Sequence, residues 1–157
     1  MSQKPGFLAR RFQQIAVAVF HAEVGAAGSD LTPVQYSVLT ALQSHPALDQ
    51  VTLAGLIAFD RTTIGGVVDR LAQRGLLSRR THPSDRRARA LEITAQGADL
   101  VERIEPAVER AQRIMLSGLS ASEAKEFMRL LEKAVEGCNE LSRAPMHSAI
   151  GEETIRS

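Results

Sequence analysis

The sequence predicts a mainly α-helical protein that carries one small β-hairpin. Apolar residues recur at the three-and-four spacing of amphipathic helices over most of the chain, and the period changes to alternation only between residues 77 and 93. The 157 residues are 44% apolar and 24% charged, which fits one folded domain with a helical extension. No apolar run approaches the ~20 residues that a membrane-crossing helix needs, so we expect no membrane partner.

The N-terminal part of the chain predicts two helices. Apolar residues between 7 and 24 form one stripe at helical spacing, and Gly25 closes this first helix. Thr32 can cap the second helix, Pro33 suits its first turn, and the pattern continues to about Ser44. Both helices are therefore expected to bury one side.

Two shorter helices and a hairpin follow. The third helix is expected after Thr52, and the fourth near Asp60, a plausible N-cap, with Gly75 as its C-terminal stop. Short alternating runs at 77–81 and 89–93 then flank a turn-rich segment. We therefore predict a β-hairpin whose tip is basic.

Two long helices complete the predicted fold. Thr94 starts the fifth helix, and Ser120 with Glu123 forms a capping box that opens the sixth. The apolar stripe of the sixth helix runs to Leu141. The pattern dissolves from Ala144 onward, where we expect a mobile tail.

Positive charge is concentrated in the middle of the chain. The whole protein has a net charge of +1, but residues 61–89 contain eight Arg and two Asp, a net charge of +6, and the remainder carries −5. A basic segment of this kind suits a polyanion such as nucleic acid, whereas the simpler explanation is a set of solvated helix faces. The local architecture decides between these two explanations.

The order of the elements favours the nucleic-acid explanation. Two short helices joined by a tight turn and followed by a basic hairpin form a winged helix-turn-helix, a DNA-binding domain predicted here at residues 32–94. Outside this domain lie the predicted helices of residues 1–31 and 95–143 and the tail of residues 144–157. The long helices carry more apolar residues than so small a domain covers, so we expect a homodimer.

The same region resembles a known family. The resemblance rests on the fourth helix and its end, on the Asp-Arg-Arg of the wing and on the Ile-Thr-x-x-Gly that follows, at residues 60–64, 68–71, 74–77, 85–87 and 93–97. These residues are similar to those of the MarR family of bacterial transcriptional regulators. The resemblance implies an obligate dimer whose first, fifth and sixth helices interlock, so that residues 1–31 and 95–143 form the dimerisation region. It also implies a pseudo-palindromic double-stranded DNA operator and, usually, repression that a small ligand relieves.

Candidate DNA-binding residues fall on the fourth helix and the wing. Threonine can contact a thymine methyl group or a phosphate, and arginine can pair with guanine. The candidates near the fourth helix are Arg61, Thr62, Thr63, Gly66 and Arg70. On the wing, the resemblance implies that Asp85 and Arg87 order the tip, and that Arg86 or Arg87 reaches the minor groove. The remaining arginines, at positions 74, 79, 80 and 89, are general phosphate contacts or solvated charges.

The glycine pair in the fourth helix has two explanations. Gly65 and Gly66 each cost ~1 kcal/mol of helix stability relative to alanine. Close approach of the helix backbone to DNA explains them, and so does tight packing against a neighbouring helix. The sequence leaves both explanations open.

The first helix resembles that of MarR members that sense aromatic carboxylates. The resemblance lies in the segment from Pro5 to Gln14, and it implies that Arg10 pairs with the carboxylate of a hydroxybenzoate-like effector. Further candidates are Arg11, Gln14, His21 and Tyr36. Their simpler roles are, in turn, a contact to solvent or the partner subunit, a surface amide, a solvated histidine and a packed aromatic residue.

Other chemistry finds little support in the sequence. No nucleophile elbow, phosphate-binding glycine loop or metal-ligand spacing occurs, so we expect neither an enzyme nor a cofactor or metal. Cys138 lies in the apolar stripe of the sixth helix, which favours a buried thiol over redox sensing. The start of the chain lacks a secretory signal, so we expect a cytoplasmic protein. The alternatives are an architectural DNA-binding protein without an effector and a regulator of stress or drug-efflux genes with a different phenolic ligand.

Overall fold

The computed structural model describes residues 4–81 and 89–147, and within them the chain forms six α-helices and one β-hairpin. In chain order the elements are α1 (Pro5–Ala26), α2 (Pro33–Ser44), α3 (Gln50–Leu56), α4 (Ile64–Gln73), β1 (Leu77–Thr81), β2 (Arg89–Ile93), α5 (Ala95–Met115) and α6 (Ala121–Gly137). A 3₁₀ turn at Asn139–Leu141 follows α6. None of the described helices has the length and apolarity that crossing a membrane requires. The predicted mainly α-helical fold with one hairpin is confirmed.

The chain divides into two compact units. The first comprises residues up to Pro33 together with Leu100–Val135, and the second comprises Val34–Asp99 together with the residues from Glu136 onward. The second unit contains α3, α4, the hairpin and nearly all of α2, which are the elements of the predicted winged helix-turn-helix. The assignment of a dimerisation role to residues 1–31 and 95–143 stays a prediction.

In the second unit, α2, α3 and α4 each bury their apolar side. The sequence pattern of α4 explains this, because its apolar residues recur at helical spacing and all lie on the buried side: Ile64, Val67, Val68 and Leu71. The hairpin contacts both α3 and α4. It is also joined to the loop before α3, since the backbone N–H of Leu91 donates to the carbonyl of Leu48 at 2.7 Å. The outward side of α4 is thereby held on a packed support.

Two helices of this unit begin at residues other than the predicted ones. α3 begins at Gln50 rather than after Thr52, because Asp49 is the N-cap and its carboxylate accepts the backbone N–H of Thr52 at 2.9 Å. α4 begins at Ile64 rather than near Asp60. Asp60 instead caps a turn that precedes the helix, because its carboxylate accepts a backbone N–H within that turn.

The predicted hairpin is confirmed to the residue. β1 and β2 pair in antiparallel fashion, with Leu77 opposite Ile93 at the base. The connection at 82–88 lies outside the described residues. Outside them also lie the predicted wing residues Asp85, Arg86 and Arg87.

A close contact joins the end of α4 to the start of α5. Gly75 has a φ of +70° and ends α4 as predicted. The hydroxyl of Thr94 donates to the Gly75 carbonyl at 2.6 Å and accepts the backbone N–H of Gly97 at 3.1 Å, so Thr94 starts α5 as predicted. A Cβ atom on Gly97 would lie 2.1 Å from the carbonyl oxygen of Leu76, so the contact requires glycine there.

The capping box of α6 is confirmed, but the helix is shorter than predicted. The backbone N–H of Ser120 donates to the Glu123 carboxylate at 2.8 Å, and the Glu123 N–H donates back to the Ser120 hydroxyl at 3.4 Å. α6 ends at Gly137 rather than Leu141, because glycine is a poor residue for continuing a helix. Cys138 therefore lies beyond the helix and is exposed, so the expected buried thiol is wrong.

The first residues of the predicted tail are attached to the second unit. The backbone N–H of His147 donates to the carbonyl of Gly55, in α3, at 3.0 Å. His147 therefore has a hydrogen-bond partner in α3, which the composition of this segment did not indicate. The rest of the predicted tail, residues 148–157, lies outside the described residues.

Candidate DNA-binding surface and effector residues

The turn before α4 presents three of the predicted DNA-binding residues at the surface. Asp60 Oδ1 accepts the backbone N–H of Thr62 at 2.7 Å and the Thr62 hydroxyl at 2.6 Å. The hydroxyl of Thr63 donates to the Asp60 carbonyl at 3.2 Å. Hydrogen bonds from the side chain and backbone of Thr62 hold the pKa of Asp60 below its ordinary value, because they favour the charged carboxylate that accepts them. Arg61, Thr62 and Thr63 are all exposed.

The outward side of α4 continues this surface. Gly66 and Arg70 are exposed one helical turn apart. Among the described residues, a Cβ atom on Gly66 would meet only the guanidinium of Arg70, at 3.7 Å. Gly65 differs, because it is half-buried and its added Cβ would lie 3.4 Å from the side-chain amide of Gln50. Of the two explanations for the glycine pair, packing fits Gly65 and close approach of another molecule fits Gly66.

The arginines of the basic segment form two groups. Within the described residues, the side chains of Arg61 and Arg70 make no ion pair or hydrogen bond. Arg79 pairs with Asp69, and Arg80 pairs with a glutamate of the neighbouring strand β2 at 3.1 Å. The charge of the second group is therefore locally balanced. Of these four arginines, the two whose charge is not paired within the described residues lie on the outward side of α4 and in the turn before it.

On α1 the structure brings Arg10 together with Phe7 and Gln14. The guanidinium carbon of Arg10 lies 5.4 Å from the centre of the Phe7 ring, and its Nη1 donates to the amide oxygen of Gln14 at 3.4 Å. Spacings of three and four residues place these side chains on one face of the helix. Arg10 and Gln14 are exposed. A guanidinium held over a ring and beside an amide has the donors that a carboxylate requires.

The other predicted effector residues lie on α1 and α2. Arg11 and His21 are exposed on α1, and the His21 ring lies 6.1 Å from the ring of Phe20. Tyr36 is half-buried on α2, in the second unit. Arg10 and His21 stand on one continuous helix about 16 Å apart along its axis. The two residues are therefore about three helical turns apart on the same chain.

Comparison with known proteins identifies the family that combines these features. Residues 31–88 match the MarR family. The chain is also 31% identical over 136 residues to the HTH-type transcriptional repressor NicR of Pseudomonas putida, and the match covers 87% of this chain and 85% of NicR. The chain belongs to the MarR family.

Solved structures with this fold agree with membership of the MarR family. BpsR of Bordetella bronchiseptica, solved to explain how 6-hydroxynicotinic acid regulates its DNA binding, is 34% identical with a TM-score of 0.81, covering 87% of this chain and 96% of BpsR. PcaV of Streptomyces coelicolor, in complex with its natural ligand, is 35% identical with a TM-score of 0.78, covering 87% and 94%. This MarR-family chain is a DNA-binding transcriptional regulator with a winged helix-turn-helix, as predicted.

One contact at the candidate DNA-binding surface of this MarR-family chain was missed from the sequence. Arg143 Nη2 donates to Asp60 Oδ2 at 3.2 Å, which links a residue beyond α6 to the turn before α4. The two residues are 83 positions apart. Periodicity and capping patterns indicate contacts only between residues close in sequence, so no signal pointed to this pair.

Proposed function

We propose that this protein is a homodimeric repressor that reads its operator with α4 and the preceding turn, and leaves it when a hydroxylated aromatic carboxylate binds. The observation that carries this proposal is the outward side of α4. There Arg61, Gly66 and Arg70 are exposed and, within the described residues, the two arginines lack an internal partner. The protein acts by binding alone, without catalysis or a cofactor, in the cytoplasm.

Each residue of this surface receives a role from its chemistry. Arg61 and Arg70 contact phosphates or pair with guanine. Thr62 and Thr63 present their methyl groups to thymine, because their hydroxyls are used within the turn. Gly66 allows the DNA to approach the helix backbone more closely than any side chain would permit.

The wing arginines complete the proposed interface. By sequence, Arg86 and Arg87 belong to the hairpin tip, where they contact the DNA backbone or the minor groove while Asp85 orders the tip. Each lost phosphate contact is expected to make the slope of log K against log salt shallower by about 0.9. If Arg86→Ala and Arg87→Ala both leave affinity and slope unchanged, the wing has no part in binding.

A second copy of the chain is the proposed partner of α6. No residue of α6 is buried in the single chain. Its apolar stripe includes Leu130, Leu131 and Val135, which are 49%, 38% and 58% exposed. Covering such side chains contributes about 1.5–3 kcal/mol each. A two-fold dimer would present two recognition helices ~34–36 Å apart, one turn of DNA, to a symmetric operator.

Arg10 is the proposed anchor of the effector carboxylate. Its guanidinium lies over Phe7 and beside Gln14, and it retains N–H groups for a paired contact with a planar carboxylate. The DNA binding of BpsR is regulated by 6-hydroxynicotinic acid, which supports a hydroxylated aromatic acid as the effector class. Arg11, His21 and Tyr36 are retained as secondary candidates.

Operator binding tests the DNA-binding part. The protein is titrated at physiological salt against a duplex from upstream of its own gene and against a scrambled duplex. We expect the first to bind tighter by about 10³-fold or more. Arg70→Ala should weaken binding, whereas Arg113→Ala, an exposed arginine on α5, should have no effect. Equal affinity for both duplexes would indicate an architectural DNA-binding protein instead of a specific repressor.

Release from the operator tests the effector part. Hydroxybenzoates, 6-hydroxynicotinic acid, phenylacetate and cinnamate are added in turn to the protein–DNA complex, and the concentration that releases half of the DNA is recorded. We expect Arg10→Ala to bind the operator normally but to lose the response to acids that release the parent, with Arg113→Ala again as the matched control. If Arg10→Ala is released at the same concentrations as the parent, Arg10 is not the anchor.

A further inference from the structure

We propose that the segment Asn139–His147, named here the C-terminal strap, positions the turn before α4 for DNA binding, with Arg143 as the positioning residue. The proposal rests on the DNA-binding role proposed for that turn. It adds to the interface a segment that is remote from the helix-turn-helix in sequence but belongs to the same compact unit.

The strap is closed by its own hydrogen bonds. The backbone N–H of Met146 donates to Asn139 Oδ1 at 2.8 Å, and Asn139 Nδ2 donates to the Met146 carbonyl at 3.1 Å. Between them, the backbone N–H of Ala144 donates to the Ser142 hydroxyl at 3.1 Å. These contacts give the segment a defined loop shape, which lets it carry a side chain to a fixed place.

One end of the strap is fixed to α3. The backbone N–H of His147 donates to the Gly55 carbonyl at 3.0 Å. The Gly55 carbonyl also accepts the backbone N–H of Ala58 at 3.3 Å, so the strap adds a second hydrogen bond at the last turn of α3. The His147 ring also lies against Gly55, since a Cβ atom there would stand 3.2 Å from His147 Cδ2.

The middle of the strap is fixed to the turn before α4. The two carboxylate oxygens of Asp60 are divided between two tasks: Oδ1 accepts both hydrogen bonds from Thr62, and Oδ2 accepts the guanidinium of Arg143 at 3.2 Å. Rotation of the carboxylate away from Thr62 therefore also breaks the contact with Arg143. The strap thus favours the closed turn that presents Arg61, Thr62 and Thr63.

A positioning role and a direct phosphate contact make different predictions for Arg143. Its side chain is 91% exposed, so an exposed ion pair of this kind shifts equilibria only several-fold. A positioning residue changes the geometry of its neighbours without changing the number of neutralised phosphates. A phosphate contact changes that number and therefore the salt dependence.

Four variants test the proposal: Arg143→Ala, Arg143→Lys, Asp60→Asn and the double variant that combines Asp60→Asn with Arg143→Ala. Operator affinity is measured at several salt concentrations, and hydrogen exchange of the Thr62 amide is measured without DNA. We expect Arg143→Ala to weaken operator binding about 3-fold, to leave the salt slope unchanged and to speed exchange at Thr62. Arg143→Lys should largely recover both the operator affinity and the slow exchange at Thr62. In a protein that already carries Asp60→Asn, Arg143→Ala should cause no further change in either quantity.

Arg129→Ala provides the matched control, because Arg129 is an exposed arginine paired with Glu126 on α6. Arg129→Ala should change neither the operator affinity nor the exchange rate of the Thr62 amide. The positioning role is overturned if the salt slope of Arg143→Ala becomes shallower by about 0.9, if Thr62 exchange is unchanged, or if the two substitutions act additively. Because the exchange measurement needs no DNA, a wild-type protein without operator preference would contradict the proposed function while leaving the strap testable by exchange alone.

Discussion

Helices α4 and α6 both carry an apolar stripe, but the single chain buries only that of α4. Ile64, Val68 and Leu71 of α4 are at most 1% exposed. In α6 no residue is buried, and Phe127 is half-buried with its ring edge-to-face against Phe12 at a centroid distance of 5.5 Å. Two helices with the same kind of pattern thus have different partners.

The difference between the two helices indicates that they have different roles in the molecule. In the proposed interface, α4 holds its polar side toward DNA, and its apolar side is packed within one chain. The stripe of α6 is left for a partner, and the dimer proposed here supplies it. Substitutions in the stripe of α6 are therefore expected to reduce dimer association, whereas substitutions in the packing around α4 are expected to reduce stability.

The largest effect is expected from a charge placed in the stripe of α6. Leu131→Asp would bury a carboxylate in the proposed dimer interface, which strongly disfavours association. We expect a monomer by sedimentation equilibrium and a loss of operator affinity of about 10³-fold, because one half-site replaces two. Lys133→Asp, on the polar side of the same helix, is the control and should remain dimeric. A dimeric Leu131→Asp would show that α6 has another partner.

The next largest effect concerns the contact that supports α4 from its C-terminal end. Gly97→Ala would place a Cβ atom 2.1 Å from the Leu76 carbonyl oxygen, and the backbone must move to accommodate it. We expect the free energy of unfolding to fall by about 3 kcal/mol, measured by urea denaturation. Gly25→Ala, where an added Cβ meets nothing within 4 Å, should cause no loss. An equally stable Gly97→Ala would mean that the α4–α5 junction is looser than described.

The sequence predicted features that depend on neighbours along the chain. The two strands, the stop at Gly75, the cap at Thr94 and the capping box at Ser120 each need only a few adjacent residues, and all are confirmed. The predicted start of α4 was wrong, because an aspartate carboxylate can cap either a helix or a turn. Local pattern alone did not distinguish these two uses of Asp60.

Features that depend on residues distant in sequence were not predicted. Arg143 and His147 lie in a segment without periodicity, yet the first contacts Asp60 and the second contacts Gly55. The candidate DNA surface was identified from residue types, but the sequence could not show which arginines are already paired. The structure separates Arg79, paired with Asp69, from those on the outward side of α4.

A smaller effect is expected at Gly66, where stability and DNA binding should change in opposite directions. Gly66→Ala removes a glycine from an exposed helix position and should raise the free energy of unfolding by up to about 1 kcal/mol. The added methyl group should nevertheless weaken operator binding about 10-fold, measured by titration, because it holds the DNA away from the helix backbone. Gly65→Ala, which faces Gln50, is the matched control. Unchanged operator affinity in Gly66→Ala would remove Gly66 from the interface.

The smallest effect is expected at the N-cap of α3, the helix that precedes the turn before α4. Burial raises the pKa of Asp49, but hydrogen bonds from the side chain and backbone of Thr52 lower it more, so the pKa lies below its ordinary value. The stabilisation is therefore present above the unfolded-state pKa of about 3.9 and is lost as the pH falls through the lower folded-state pKa. Asp49→Ala should lower the free energy of unfolding by about 1 kcal/mol at neutral pH.

The pH dependence distinguishes a charged cap from lost packing at Asp49. In urea denaturation, the difference in the free energy of unfolding between wild type and Asp49→Ala should shrink as the pH falls below about 3.9, because the protonated carboxyl group is a weaker acceptor. Asp49→Asn keeps a side-chain oxygen for the Thr52 N–H and should retain most of the stability at neutral pH without the acid-dependent loss. A loss in Asp49→Ala that is independent of pH would place the stabilisation in packing rather than in the charged hydrogen bond.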